Sequence, residues 1–259
     1  MNTTKNPRQT SQSSIRLLHI IECLAENRTP MRLQDLAEKA GMTQSTVLRY
    51  LYSLTEANYI YQDEETLRYG LTWNFCRITE SLNSQLSLRS ITSPFMNKLV
   101  SRLSLGTCLV VGRDGECMYL DCIENQDFSS LQRIGKAAPM HATGSGKLLL
   151  SQYSDAELEE YIKAKGLPQY TDYTITDMET LKAVLENVRK NGYAMDEQEC
   201  ELGLRCVSFP LRDYTGSITA AISVFGDLKG MNDDRLQSEI IPMVKDAAES
   251  ISARLGYRE

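Results

Sequence analysis

The stretch HATGSGKLLL, from His141 to Leu150, is the first candidate for chemistry in this chain. Two glycines and a lysine ahead of an apolar run suggest a loop feeding a helix, with backbone amides and a cation aimed at a phosphate. A nucleotide-binding loop of that kind reads G-x-x-x-x-G-K-[ST], where the glycines let the backbone wrap the phosphates and the last hydroxyl binds magnesium. Counted back from Gly146, the first glycine position holds His141, and the hydroxyl position holds Leu148. Both failures fall at fixed positions, so the nucleotide reading is set aside. What remains is a tight glycine loop entering a helix that begins near Lys147. Such a helix start still offers unpaired N–H groups and a positive dipole end to a small anion.

Nucleophilic catalysis is the other chemistry to weigh. His141 with a serine or cysteine would make a base–nucleophile pair, but the second histidine, His19, lies in the N-terminal helices. No G-x-S-x-G, H-E-x-x-H or paired-acid constellation is present. A lone loop histidine is more often a structural hydrogen-bonding residue. No catalytic residue is assigned, no enzymatic activity is expected, and an enzyme using a C-terminal pocket is kept as a remote alternative. The seven cysteines are odd in number, scattered and without a C-x-x-C pair, and with two histidines they suggest no metal site and no cofactor. Several lie in apolar runs and read as buried thiols of a reducing compartment.

These residues need elements to hold them. A chain of 259 residues, 42% hydrophobic, has enough apolar material for one large or two modest domains. The polar start MNTTKNPRQTSQSS lacks the apolar core of a secretion signal, and no apolar run approaches the ~18 residues of a membrane helix. A cytoplasmic protein with no membrane partner is expected. The net charge of −6 arises entirely after residue 75, since residues 1–75 hold eight basic and eight acidic side chains. The first 16 residues carry Lys5, Arg8 and Arg16 with no acid, a basic arm on the least acidic part of the chain.

Three helices follow that arm. Leu17, Leu18, Ile21, Leu24 and Ala25 define an apolar face of a first helix ending near Glu26. Leu33, Leu36, Ala37 and Ala40 define a second, and after Gly41 a third runs from Thr43 to about Ala57 with Val47, Leu48, Leu51 and Leu54 inward. Thr43 suits the N-cap. Helix, glycine turn, helix is the helix-turn-helix arrangement. It leaves Gln44, Ser45, Thr46, Arg49, Tyr50 and Ser53 outward, residue types that hydrogen-bond base edges and phosphates. No acid lies between Glu38 and Glu56 to repel a phosphate. Two alternating strands, Tyr59–Gln62 and Leu67–Leu71, flank Asp63-Glu64-Glu65 and make a wing. Its tip is acidic, so Arg68 rather than the tip is expected at a flanking phosphate.

Downstream, strand pairs interleave with helices. Thr107–Gly112 and Cys117–Ile123 flank a hairpin turn, Ser154–Lys165 opens on a capping box, and Thr176–Asn191 reads as a helix. Arg205–Arg212 and Ser217–Phe225 are two further strands, and a last helix over about 233–255 is expected to kink at Pro242.

TPMRLQDLAEKAGMTQSTVLRYLYSLTEANYI resembles the DNA-binding segment of IclR-family transcriptional regulators. RIGKAAPMHATGSGKLLLS resembles that family's loop PLHATAxGKxxLA, and GYAMDEQECELGLRCVSFPLRDYTGSITAAISVFG resembles its GYAxDxEE…GxRCxAxPxxDxxGxxxAAxSVxG stretch. The resemblance spans nearly the whole chain. It implies an α+β protein with a winged helix-turn-helix domain over 1–72, a linker helix over 73–90 and a GAF-like effector-binding domain over 91–259. It implies a repressor, with an activator of the same architecture as the alternative, controlled by a small organic-acid or sugar-acid metabolite. Carried over position by position, it points to Gly144 and Ser145 as amide donors to a carboxylate, to Asp196 and Cys206 as pocket lining, and to Ser223 as a hydroxyl. The implied partners are double-stranded DNA with a palindromic operator and further copies of the chain, as a homodimer or dimer of dimers. One departure stands out: several relatives read S-V-S-G where this chain has Ser223-Val224-Phe225-Gly226, so a ring replaces a hydroxyl.

Overall fold

A computed structural model describes residues 11–27, 29–76, 88–123 and 134–258, and the chain divides into two compact units between residues 85 and 86. Lys5, Arg8 and residues 77–87 of the expected linker helix lie outside the described residues.

The first unit holds α1 (Gln12–Asn27), α2 (Leu33–Lys39) and α3 (Gln44–Glu56). Gly41 turns α2 into α3 at φ +62°, a left-handed conformation that a side chain disfavours. Thr43 then caps α3, its hydroxyl accepting the Thr46 amide at 3.4 Å. Val47, Leu51 and Leu54 of α3 pack with Leu36 and Ala37 of α2 in one core, as the spacing predicts, whereas Leu48, expected inward, is half-buried and lies outside that core. The inward face of α1 differs from expectation. Ile20, Cys23 and Leu24 are buried, whereas Leu18 and Ala25 face solvent. This helix is apolar around much of its circumference, so docking against α2 and α3 rather than its own periodicity selects the buried stripe. Two short antiparallel strands, β1 (Ile60–Gln62) and β2 (Tyr69–Leu71), make the wing. At its tip the Asp63 carboxylate accepts the Thr66 amide at 2.7 Å and its hydroxyl at 2.6 Å, closing the turn.

The second unit is built on a six-stranded antiparallel sheet in the order β5-β4-β3-β8-β7-β6. Its strands are β3 (Gly106–Arg113), β4 (Glu116–Ile123), β5 (Ala137–Pro139), β6 (Ala194–Glu197), β7 (Leu204–Arg212) and β8 (Ile218–Asp227). Asp114 and Gly115, both at positive φ, form the two-residue turn between β3 and β4 that such a pair favours. Apart from irregularities at Leu109/Val110 and Leu211/Arg212, alternate residues divide between the two faces. Leu109, Val207, Phe209, Leu211, Ala220, Ile222 and Val224 pack under α4 (Leu88–Leu103) and the C-terminal helix α8 (Ile241–Arg254). Cys108, Val110, Ser208, Ser223 and Phe225 turn to the other face, which α5 (Gly144–Leu150), α6 (Asp155–Lys165) and α7 (Met178–Asn191) cover. Burial on both faces explains why β8 is apolar over most of its length.

Three local features depart from expectation, and one strand has no counterpart in the sequence pattern. Helix α5 starts at Gly144 with Thr143 as its N-cap, three residues before Lys147. Helix α7 starts at Met178 behind Asp177, whose carboxylate accepts the Thr180 amide at 2.9 Å. Residues 194–197 form a strand that pairs with β7. Where a kink is expected, a π-helical turn over Leu236–Ile240 runs into α8, with Pro242 in that helix's first turn.

Candidate functional site

On α3 the outward side chains lie on two adjacent ridges. Gln44, Leu48 and Tyr52 are spaced i, i+4, i+8, and Ser45, Arg49 and Ser53 make the neighbouring ridge. Gln44, Ser45, Arg49 and Ser53 are exposed, Thr46 and Leu48 half-buried. Ser53 donates its hydroxyl to the Arg49 carbonyl of its own helix at 3.3 Å. Thr46 sits 2.9 Å from the Thr43 hydroxyl, inside the cap. Tyr50, expected outward, is a correction: it is 5% exposed and belongs to the core. Its hydroxyl lies 3.2 Å from Ser13 Oγ on α1, and the Arg49 guanidinium sits 5.3 Å above its ring. Position 50 lies one turn before Leu54 and three after Val47, so the spacing itself puts it on the core side. The outward aromatic is Tyr52, 67% exposed, which the sequence reasoning missed. Arg68 is half-buried and spends one N–H on the Pro30 carbonyl at 3.1 Å, anchoring the wing to the loop before α2.

The five residues singled out in the C-terminal half meet at one cavity of about 30 Å³. Strand register explains the convergence. One row across the sheet runs Cys122, Cys108, Ser223, Ser208, Ala194 on β4, β3, β8, β7 and β6. The next row runs Gly106, Phe225, Cys206, Asp196. Helix α5 lies over both rows. Its Ser145 Oγ is 2.7 Å from Ser223 Oγ and 3.3 Å from Ser208 Oγ, while Ser208 and Ser223 are themselves 2.7 Å apart. Three buried hydroxyls thus share hydrogen bonds beside the first amides of α5, those of Gly144 and Ser145. The close approach needs glycine: a Cβ on Gly144 would stand 2.7 Å from Ser208 Oγ, and one on Gly146 would stand 2.2 Å from Met140 backbone atoms. Phe225 lies over Gly106, where an added Cβ would fall 2.3 Å from its ring.

Charge is concentrated at the Asp196 end. Asp196 is 2% exposed, and its Oδ1 accepts the Glu199 amide at 2.8 Å and the Cys200 amide at 3.5 Å. Burial pushes its carboxyl up to about 7; the Lys147 ammonium and those amides pull the other way. A carboxyl near that value is half neutral at physiological pH and can donate a hydrogen bond as well as accept one. Behind it, Lys147 and Glu199 form a buried ion pair, and Glu199 Oε2 has no protein hydrogen-bond partner. Lys147 therefore neutralises a glutamate instead of awaiting a phosphate.

His141 is buried too. Its Nε2 lies 3.0 Å from the Pro168 carbonyl, which requires that nitrogen to carry the proton. Burial lowers its pKa, keeping the ring neutral, and Nδ1 faces no protein partner. Cys117 approaches Thr143 Oγ1 at 3.5 Å, and burial pushes its thiol up to about 12. Ser208 and Cys108 were missed in the sequence. Ser208 was within reach, because it stands two residues from Cys206 on one strand and so shares its face. Among the described residues, no group of three or more His, Cys, Asp or Glu is placed to hold a metal ion, and no helix is long and apolar enough to cross a membrane.

Comparison with known proteins places this architecture. The family described as "IclR helix-turn-helix domain" matches residues 14–64, and "Bacterial transcriptional regulator IclR C-terminal" matches residues 80–253. The HTH-type transcriptional repressor AllR of Escherichia coli K12 is 30% identical over 250 residues, covering 96% of this chain and 92% of AllR. The crystal structure of Thermotoga maritima IclR superposes with a TM-score of 0.62 at 27% identity, over 95% of this chain and 99% of that one. An inducer-binding domain of the transcription factor PobR from Acinetobacter, a double mutant in complex with 3-hydroxybenzoic acid, matches 64% of this chain and 98% of its own. Its TM-score is 0.60 at 27% identity.

Proposed function

The chain belongs to the IclR family of bacterial transcriptional regulators, and from that premise we propose a repressor whose hold on its operator is set by a small carboxylate in the Ser145–Asp196–Ser223 cavity. The observation that carries the DNA half is the exposed, acid-free face of α3 on a closed helix-turn-helix core. In this reading Gln44, Ser45 and Arg49 enter the major groove, with Thr46, Ser53 and Tyr52 toward the backbone and Arg68 at a flanking phosphate. Two copies bind a palindrome, alone or as a dimer of dimers.

For the effector half, the chemistry of the cavity supports an acid. Hydroxyls of Ser145 and Ser223 and the amides starting α5 can donate to a carboxylate, and a neutral Asp196 can donate a further hydrogen bond. The cavity has room for only one or two waters, so its walls move when an organic acid enters. The Phe225 ring occupies the lining beside Cys206, which favours short keto, hydroxy or sugar acids over an aromatic acid. Such a ligand shifts operator binding only to the extent that it prefers one arrangement of the dimer.

The test uses the full chain. Selection from a randomised duplex pool should enrich an inverted repeat bound with steep salt dependence. Binding with no sequence preference, or none, overturns the operator reading. A panel of carboxylic acids is then screened for thermal stabilisation and for release of the selected duplex. An acid that stabilises the protein yet leaves the complex intact overturns the effector reading.

A further inference from the structure

Cys108 and Cys122 are direct partners across strands β3 and β4, with side chains on the same face of the sheet. Cross-strand partners have Cα atoms roughly 4.5–5.5 Å apart, within the span that a disulfide bridges without backbone movement. The two Sγ atoms already lie 2.7 Å apart. Cys108 is 2% exposed and lines the cavity, while Cys122 is half-buried and gives the pair a route to solvent. Cys122 follows Asp121, whose carboxylate receives two N–H bonds from Arg89 of α4 at 2.9 and 3.2 Å, so the residue next to the pair is tied to that helix.

We propose that Cys108 and Cys122 form a reversible disulfide on exposure to hydrogen peroxide, a modification site built into the end of the Cys122–Cys108–Ser223–Ser208 row. Cys122, the thiol with solvent access, attacks a peroxide oxygen; the O–O bond breaks, leaving a sulfenic acid and one water. Cys108 then attacks the Cys122 sulfur, the S–S bond forms, and the sulfenic oxygen leaves as a second water. Two thiols lose two protons and two electrons, and one peroxide takes them up to become two waters. A thiol reductant reverses the step. Cys117 on the same strand takes no part, being deeply buried with its thiol held protonated. The disulfide cross-links β3 to β4 and removes the Cys108 S–H from the cavity wall.

The full chain is titrated with hydrogen peroxide to doses that oxidise the exposed Cys76, then remaining thiols are alkylated and the protein is digested without reduction. The expected product is an intramolecular link between Cys108 and Cys122, two hydrogens lighter than the thiol pair and lost on treatment with dithiothreitol. Cys122→Ser and Cys108→Ser should each abolish it, with folding checked by circular dichroism. The half-buried Cys122 carries the test if the Cys108 variant fails to fold. Links from Cys108 or Cys122 to Cys200, Cys206 or a second chain overturn the proposal. So does over-oxidation of Cys122 while Cys108 stays alkylatable.

Discussion

Replacing Asp196 with asparagine isolates the ionisation of one buried carboxyl. Asparagine keeps the shape and keeps an oxygen to accept the Glu199 amide at 2.8 Å, but it cannot ionise. In the folded protein burial raises Asp196 to about 7, against about 3.9 in an unfolded chain. The sign follows from proton counting. Below the unfolded value both states hold the proton and no stability is lost. As pH rises toward the folded value, the unfolded state has released its proton while the folded state keeps it, so stability falls. It falls by about 1.4 kcal/mol per unit and levels off above the folded value.

Between pH 5 and pH 8 the wild type crosses two such units, so it loses about 3 kcal/mol that the Asp196→Asn variant keeps. His141 contributes with the opposite sign, because burial lowers its pKa and its stability is lost as pH falls. It is common to both proteins and cancels in their difference. The readout must report on the C-terminal unit alone, since the chain has two units and one transition cannot be assumed. Cys117, 1% exposed, serves as the probe: urea unfolding is followed by a short pulse of a methanethiosulfonate reagent and mass spectrometry of its peptide. The difference between wild type and variant should change by about 3 kcal/mol over the window. A difference that stays constant from pH 5 to pH 8 refutes the reasoning, because Asp196 would then not titrate there.

Arg49→Ala should weaken binding to the selected duplex by about 1–3 kcal/mol, roughly 5- to 150-fold, in fluorescence anisotropy while leaving carboxylate-induced thermal stabilisation unchanged. Lys147→Met strands the Glu199 carboxylate in the interior and should cost about 3–5 kcal/mol in the Cys117 assay; pairing it with Glu199→Leu should recover much of that loss. Phe225→Ala should cost about 3–5 kcal/mol of stability, and by enlarging the cavity it should shift the preferred acids in the thermal screen toward bulkier ones.

How far the residues themselves reveal the architecture depends on the range of the forces involved. The turn at Gly41, the cap at Thr43 and the capping box at Ser154 are decided within a few residues, and each lies where the pattern places it. The buried stripe of α1 is decided by what packs against it. Tyr50 is set by its own spacing to Val47 and Leu54, and only its hydroxyl, which meets Ser13, makes it read as a surface residue. Residues 194–197 carry no strand signal of their own, because a four-residue strand takes its identity from the partner it pairs with, here β7.

The cavity shows the same division at longer range. HATGSGKLLL advertises a helix start, yet nothing local says that Lys147 will meet Glu199, fifty-two residues later, and be cancelled as a cation. Once it is cancelled, the loop keeps only its amides and the Ser145 hydroxyl to offer a ligand. What surrounds them is set by register: Asp196 opposite Cys206, Cys206 opposite Phe225, and Ser223 between Cys108 and Ser208. A slip of one residue in β8 would turn Ser223 and Phe225 into the other core and bring Val224 to face Ser145. The chemistry of this site therefore rests less on the glycine loop than on the pairing of β3, β7 and β8, whose alternating residues carry the hydroxyls, the thiols and the ring.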